Sequence, residues 1–307
     1  MSIIQANGID LKVEEYGPSD GPVLLLISGW SVQLTFWPKP FLKHFTDAGF
    51  RVIIFDNRDV GLSQKFKRNV TTYPFAPHIM ASRYLRRKLL VAYTLEDMAA
   101  DAIGILDTVD IPRAHILGLS MGGMIAQIVA AKYPKRVRST SILMSSSNRF
   151  GLPLPPSRLL FDVFFKRRSR DPEKNLAASQ RIWQRIRTQD GGYPPNDLSD
   201  TLTATIDRAN YPAGRQRQLE AIMATGDLRR FGRKIVSPTL VIHGSADLLS
   251  RPHGGVDVAE NIKGAKFELI DGLGHDLPPS KIDQIAKLVI EHARAETDTK
   301  KRLKRVV

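Results

Sequence analysis

The chain has 307 residues, 42% of them hydrophobic, and contains no cysteine. This length suits one α/β core carrying an insertion, and the missing cysteines exclude disulfides, thiolate catalysis and cysteine-ligated zinc. Lysine and arginine number 45 against 31 aspartates and glutamates, a formal net charge of +14 at pH 7.

Asn7-Gly8 lies between two alternating stretches, 2–6 and 10–16, and predicts a tight two-residue hairpin. Val23-Leu24-Leu25-Leu26-Ile27, bounded by Gly21-Pro22 and Gly29, is a continuous apolar run of the kind found in a strand buried on both faces. A helix is expected over 41–48 and a strand over 51–55. Residues 95–109 carry apolar side chains at helical spacing, with Thr94 as N-cap and Asp97 where a capping acid helps. Strands follow at 114–117, 137–144, 239–242 and 266–270, with helices over 124–131 and 282–293. Strand and helix alternate, which predicts a mostly parallel central sheet with helices on both faces. The rhythm breaks at 150–234, a stretch rich in Pro and Arg with short helical segments at 159–165 and 176–186. The expected division is a core of 1–149 and 235–296, a helical lid of 150–234, and a basic tail of 297–307.

Gly118-Leu119-Ser120-Met121-Gly122 joins a predicted strand to a predicted helix. A serine on such a turn has its hydroxyl exposed above the sheet, flanked by glycines where side chains would collide. The free N–H groups and positive dipole end of the helix face the reacting centre. A serine nucleophile needs a base within hydrogen-bond reach and a third group to hold that base in one tautomer. His275, in Gly272-Leu273-Gly274-His275-Asp276 just past a strand, is the expected base, with His253 in reserve on an expected loop. His243 fits a structural hydrogen bond. His115 is remote, His44 and His292 fall in helices, and His78 lies in a basic Pro-flanked segment. Asp247, in His243-Gly244-Ser245-Ala246-Asp247, is the expected acid, while Asp276 is expected to fix its own loop. The order Ser, Asp, His along the chain is that of α/β hydrolases. Oxyanion donors are expected from the backbone N–H of Met121 and from the turn Ser28-Gly29-Trp30-Ser31, with Trp30 preferred and Ser31 the alternative.

Taken together, Phe55-Asp56-Asn57-Arg58-Asp59-Val60-Gly61-Leu62-Ser63, the serine turn, His243-Gly244 with Asp247, Gly274-His275-Asp276-Leu277-Pro278 and Gly214-Arg215-Gln216-Arg217-Gln218-Leu219 resemble the α/β-hydrolase superfamily over essentially the whole chain. Within it the chain is most similar to the aclacinomycin methylesterase group. The resemblance implies Ser120 as nucleophile, Asp247 as acid and His275 as base. The sequence departs from the pattern in one place, with Ser28-Gly29 where many members have His-Gly before the oxyanion residue. The charged segment 56–63 is expected to be a structural lock of arginines and carboxylates.

The resulting expectation is a serine hydrolase cleaving a carboxylic ester with an apolar portion, needing neither metal nor organic cofactor. Leu152, Phe161, Phe165 and Trp183 of the lid are the candidate substrate contacts. A lactonase, thioesterase, C–C hydrolase or aminopeptidase would use the same triad. A non-catalytic protein using its basic surface is the reading from another class. The positive charge clusters at 65–88, 149–233 and 300–305. No nucleic-acid-binding motif accompanies it, so a solvated basic surface or a weak contact with an anionic surface is expected rather than nucleic acid. No apolar run approaches the roughly 20 residues needed to cross a bilayer, and residues 1–5 lack the features of a secretory leader, so a cytoplasmic location is expected.

Overall fold

In the computed structural model, which describes residues 2–67, 91–165 and 172–304, eight strands form one sheet in the order β1-β2-β4-β3-β5-β6-β7-β8. The strands are β1 (Ser2–Ala6), β2 (Ile9–Tyr16), β3 (Val23–Ile27), β4 (Arg51–Phe55), β5 (Ala114–Leu119), β6 (Val137–Leu143), β7 (Thr239–Gly244) and β8 (Lys266–Ile270). β1 and β2 form the expected hairpin, with Asn7 at φ 52° and Gly8 at φ 76°, the backbone that a tight primed turn requires. β2 is also antiparallel to β4, and every later pairing is parallel.

The continuous apolar run of β3 is buried on both faces. Val23, Leu25 and Ile27 pack into one cluster beneath α2 (Leu95–Thr108) and α3 (Met121–Lys132). Leu24 and Leu26 pack into the opposite cluster, beneath α1 (Lys39–Asp47) and the C-terminal helix. Alternation along a strand sends successive side chains to opposite faces, so a fully apolar strand demands a layer on each. α2 begins at the expected capping box, in which the Thr94 N–H donates to Asp97 Oδ2 at 2.7 Å.

The segment between β6 and β7 is helical. It comprises α4 (Ser157–Leu160), a π-helical turn (Phe161–Phe165), α5 (Pro172–Ile186), α6 (Asp197–Arg208), α7 (Pro212–Thr225) and α8 (Arg229–Gly232). After β7 come α9 (Pro252–Asn261), β8 and α10 (Ile282–Lys304). Two differences from the sequence expectation concern these last helices. His253 sits on α9, not on a loop, and is exposed. Gly254 and Gly255 hide that helix in a propensity reading, although Pro252 at its first turn is a helix-start signal. α10 runs past residue 293 to Lys304, through a stretch free of Gly and Pro that includes good helix formers. The basic stretches 68–88 and 166–170 lie outside the described residues, as does His78. No helix among the described residues is long and apolar enough to cross a membrane.

Candidate active site

Ser120 stands between β5 and α3 with φ 55° and ψ −119°, a conformation that L-residues rarely adopt. The turn closes so tightly that a Cβ on Gly122 would lie 1.9 Å from Ile27 O, and one on Gly118 would lie 2.2 Å from Gly122 O. Only glycine fits at either position. The Ser120 N–H donates to Leu143 O at 2.9 Å, and Ser145 Oγ donates to Ser120 O at 2.7 Å, so β6 pins the strained residue from its far side. Strain held by surrounding hydrogen bonds is characteristic of functional positions.

His275 Nε2 lies 3.1 Å from Ser120 Oγ, and His275 Nδ1 lies 2.6 Å from Asp247 Oδ2. These contacts span 155 and 28 residues of sequence, and they bring the three expected triad residues into one chain. Burial by itself would raise the Asp247 carboxyl. The His275 charge beside it and hydrogen bonds from both histidines outweigh burial and hold the group at about 2. An ionised carboxylate only accepts, so the ring proton sits on Nδ1 and Nε2 accepts from the serine hydroxyl. Burial favours the neutral ring of His275, but the Asp247 charge and hydrogen bond, assisted by Asp276, raise its pKa above the ordinary histidine value. The second Asp247 oxygen, Oδ1, accepts the N–H groups of Leu249 at 2.9 Å and Ser250 at 2.8 Å.

The other histidines have different partners. His243 Nε2 donates to Ser250 O at 2.6 Å and is 3.5 Å from Asp247 Oδ2, so it braces the acid loop. His115 Nδ1 pairs with Ser139 Oγ, His44 with Asp283, and His292 with Pro238 O. Asp276 accepts the N–H of Thr188 at 3.1 Å, the Thr188 hydroxyl at 2.7 Å and the Tyr193 hydroxyl.

The turn after β3 lies against the serine, since a Cβ on Gly29 would be 3.3 Å from Ser120 Cβ and 3.8 Å from its Oγ. The departure from His-Gly is compensated locally, because Ser28 Oγ accepts the Trp37 indole N–H at 3.1 Å and Ser28 O accepts Asn57 Nδ2 at 3.0 Å. Ser31, at φ 60°, donates its N–H to Gln218 Oε1 at 2.7 Å. The backbone N–H groups of Trp30 and Met121 find no acceptor among the described residues.

The segment 56–63 is a lock of buried ion pairs. Arg58 forks onto both Asp101 oxygens at 2.6 Å each, Arg217 of α7 forks onto Asp59 at 2.8 and 3.0 Å, and Arg208 of α6 reaches Asp56 at 2.8 Å. Two of these three pairs tie the insertion to the core. Three further arginines of 149–233 form more exposed pairs, Arg149 with Asp257, Arg185 with Asp162 and Arg229 with Asp227.

An apolar cluster of Leu159, Val163, Phe164, Ile182, Trp183 and Ile186 packs against Trp30 of the β3 turn and against Leu248 and Leu249 beside the acid. Trp183 belongs to it. Phe161 does not, being 58% exposed, and Leu152 is half-buried outside the cluster. The side chain of Phe165 lies outside the described residues. Phe164, and not Phe161, packs into this cluster, stacking on Trp30 with ring centroids 5.4 Å apart. The π-helical turn explains the difference, because it rotates successive side chains away from the α-helical phase that the sequence suggests.

Comparison with known proteins identifies the fold family. The family model described as alpha/beta hydrolase fold matches residues 22–281. The chain therefore belongs to the α/β-hydrolase fold family. Among its relatives is a rhodomycin D methylesterase of Streptomyces sp. strain C5, 25% identical over 300 residues that cover 91% of this chain and 93% of that protein. A counterpart from Streptomyces peucetius is 25% identical over 304 residues, with 91% and 93% covered. Of the solved structures, the enol-lactonase from Burkholderia xenovorans LB400 superposes with a TM-score of 0.73 at 24% identity, covering 95% of this chain and 99% of that one. Kinship with enzymes named esterases agrees with the expected class, a carboxylic ester hydrolase.

Proposed function

We propose that this protein is a serine hydrolase that cleaves a carboxylic ester through an acyl-enzyme. The observation that carries the reading is the hydrogen-bonded chain Ser120–His275–Asp247, with distances of 3.1 and 2.6 Å, built on a strained strand-to-helix turn. Ser120 Oγ attacks the ester carbonyl while His275 Nε2 takes its proton. The oxyanion is received by the N–H groups of Trp30 and Met121, which find no acceptor among the described residues. Each such donor is worth about 2.7–4 kcal/mol of transition-state stabilisation in other hydrolases. His275 returns the proton to the departing alkoxide, and the same histidine then activates water to release the acid. Asp247, ionised down to about pH 2, stabilises the imidazolium throughout.

The apolar residues Phe164, Trp183, Leu248 and Leu249 around Trp30 support an ester with an apolar acyl or alkyl portion. The methylesterase names of the relatives point to the same bond class. The test is labelling by a fluorophosphonate together with turnover of esters varied separately in acid and alcohol. Wild type is expected to be labelled, and Ser120→Ala to lose roughly 10⁶-fold in kcat. Hydrolysis by Ser120→Ala at the wild-type rate would overturn the reading.

A further inference from the structure

The turn that carries the Trp30 N–H has little to stiffen it from within. Its next residue, Ser31, sits at φ 60°, and Val32 closes the turn onto Gly29 O with a long bond of 3.4 Å. The firm contacts come from α7 of the insertion. Gln218, fully buried, accepts the Ser31 N–H at 2.7 Å and donates Nε2 to Arg58 O at 2.9 Å. One turn earlier, Arg215 O accepts the Trp30 indole N–H at 2.7 Å, and the Arg215 guanidinium lies 4.1 Å from the centroid of that indole.

α7 is itself fixed to the core. A Cβ on Gly214 would lie 2.2 Å from Asp59 O, so the helix approaches the 56–63 segment as closely as glycine allows. Arg217 then forks onto Asp59, whose oxygens also accept the Tyr93 hydroxyl at 2.7 Å and the Phe66 N–H at 2.8 Å. Gln218 follows Arg217 directly, so the buried ion pair sets the height and rotation at which its amide meets Ser31.

We propose that Gln218 is a positioning residue for the oxyanion hole: its side-chain carbonyl, anchored through α7, holds the Ser31 peptide so that the neighbouring Trp30 N–H is aimed at the reacting carbonyl oxygen. The proposal rests on the serine-esterase reading. It gives the insertion a part in forming the hole, in addition to any contact with substrate. The same bond commits the Ser31 N–H and leaves Trp30 as the donor of this turn. Because an oxyanion donor matters only once charge develops on oxygen, Gln218 acts on the transition state and not on ground-state binding.

The test is Gln218→Met, which keeps the length and apolar volume of the side chain and removes both hydrogen bonds. Expected are a fall in kcat of about 10- to 100-fold with KM nearly unchanged, since the donor is displaced and not deleted. Affinity for a trifluoromethyl ketone, which forms a tetrahedral oxyanion adduct on serine, should fall by the same factor. Affinity for the product carboxylic acid should stay as in wild type. Gln216→Met on the same helix, whose amide donates to Glu220 Oε1 at 3.3 Å and not to the oxyanion turn, should leave all three quantities in place. Should Gln218→Met lack a cooperative thermal transition, Gln218→Asn reads out the same quantities with one methylene too little to reach Ser31. Unchanged kcat in a folded Gln218 variant, or a loss carried by KM alone, overturns the positioning role while esterase activity abolished in Ser120→Ala leaves the enzyme reading intact. Activity that survives in Ser120→Ala overturns both.

Discussion

Asp247→Asn gives the sharpest test of how the triad holds its proton. Asn is isosteric with Asp, so the two positions of its amide are decided by hydrogen bonds. At the Oδ1 position two backbone donors converge, Leu249 N–H at 2.9 Å and Ser250 N–H at 2.8 Å. An NH₂ group there would face both donors, so the amide oxygen must take that place. The NH₂ then occupies the Oδ2 position, 2.6 Å from His275 Nδ1 in the wild type. Nδ1 becomes an acceptor and the ring proton moves to Nε2, where it faces Ser120 Oγ and cannot accept its proton. The same substitution in another serine triad lowers kcat about 10⁴-fold, or about 5 kcal/mol at 1.36 kcal/mol for each factor of ten. Here the two backbone donors make the wrong tautomer the only satisfied arrangement, so a loss of about that size is expected with KM close to wild type. Steady-state hydrolysis of an activated ester and the rate of fluorophosphonate labelling should fall together. Asp276→Asn is the control, because Asp276 spends its oxygens on Thr188 and Tyr193 and should cost far less in kcat. If Asp247→Asn stays within about 10-fold of wild type, or if Asp276→Asn matches it, the tautomer argument is wrong.

Catalysis requires neutral His275, and its pKa lies above the ordinary 6.5, so kcat/KM should fall as pH drops through a midpoint higher than 6.5; a midpoint below that value would contradict the Asp247–His275 coupling. Asp247→Ala removes the charge that raises His275, and the acid limb of its residual activity should move to lower pH. Arg217→Met strands the buried Asp59 carboxylate, so equilibrium denaturation should show a loss of about 3–5 kcal/mol, where a change under 1 kcal/mol would refute the role of that pair. Thr188→Val deletes the hydroxyl that accepts the Gly274 N–H at 2.8 Å and donates to Asp276, and should cost about 1–3 kcal/mol of stability together with a reduced kcat, since Gly274 adjoins the base.

Val23–Ile27 was legible as a short apolar run bounded by glycine and proline, and Val23–Ile27, Arg51–Phe55 and Lys266–Ile270 match residue for residue. Ser120, Asp247 and His275 were legible for another reason. Each sits on a loop just beyond a predicted strand, and parallel strands end on one edge, so the topology alone brings them near each other. α9 was hidden by two glycines whose presence is explained only in three dimensions. A Cβ on Gly255 would strike His243 Nδ1 at 2.4 Å, and one on Gly254 would meet Ser146 Cβ at 2.7 Å. The stretch 214–219 stood out by resemblance alone, and the parts played by its Gln218 and Arg215, and by Thr188, had no signature that assigned them. Their bonds to the site cross 187, 185 and 86 residues, and a buried glutamine on a helix reads in sequence like any exposed one.

Those unread contacts share a direction. The His275 N–H donates to Ile186 O at 2.6 Å, and the Gly274 N–H donates to the Thr188 hydroxyl, both at the end of α5. Ser31 and Trp30 are held by α7. The insertion thus grips the base loop with one helix end and the oxyanion turn with another, while the nucleophile is fixed by the core through Leu143 and Ser145. Positioning within about half an ångström decides how well such a site works, and loops achieve it only when a rigid neighbour braces them. An insertion that merely covered substrate could move as a unit without disturbing the triad. One that supplies these bonds cannot, and its displacement would loosen the base and the oxyanion donor together. Changes in the buried ion pairs Asp56–Arg208 and Asp59–Arg217, although remote from the scissile bond, should therefore register in kcat before they register in KM.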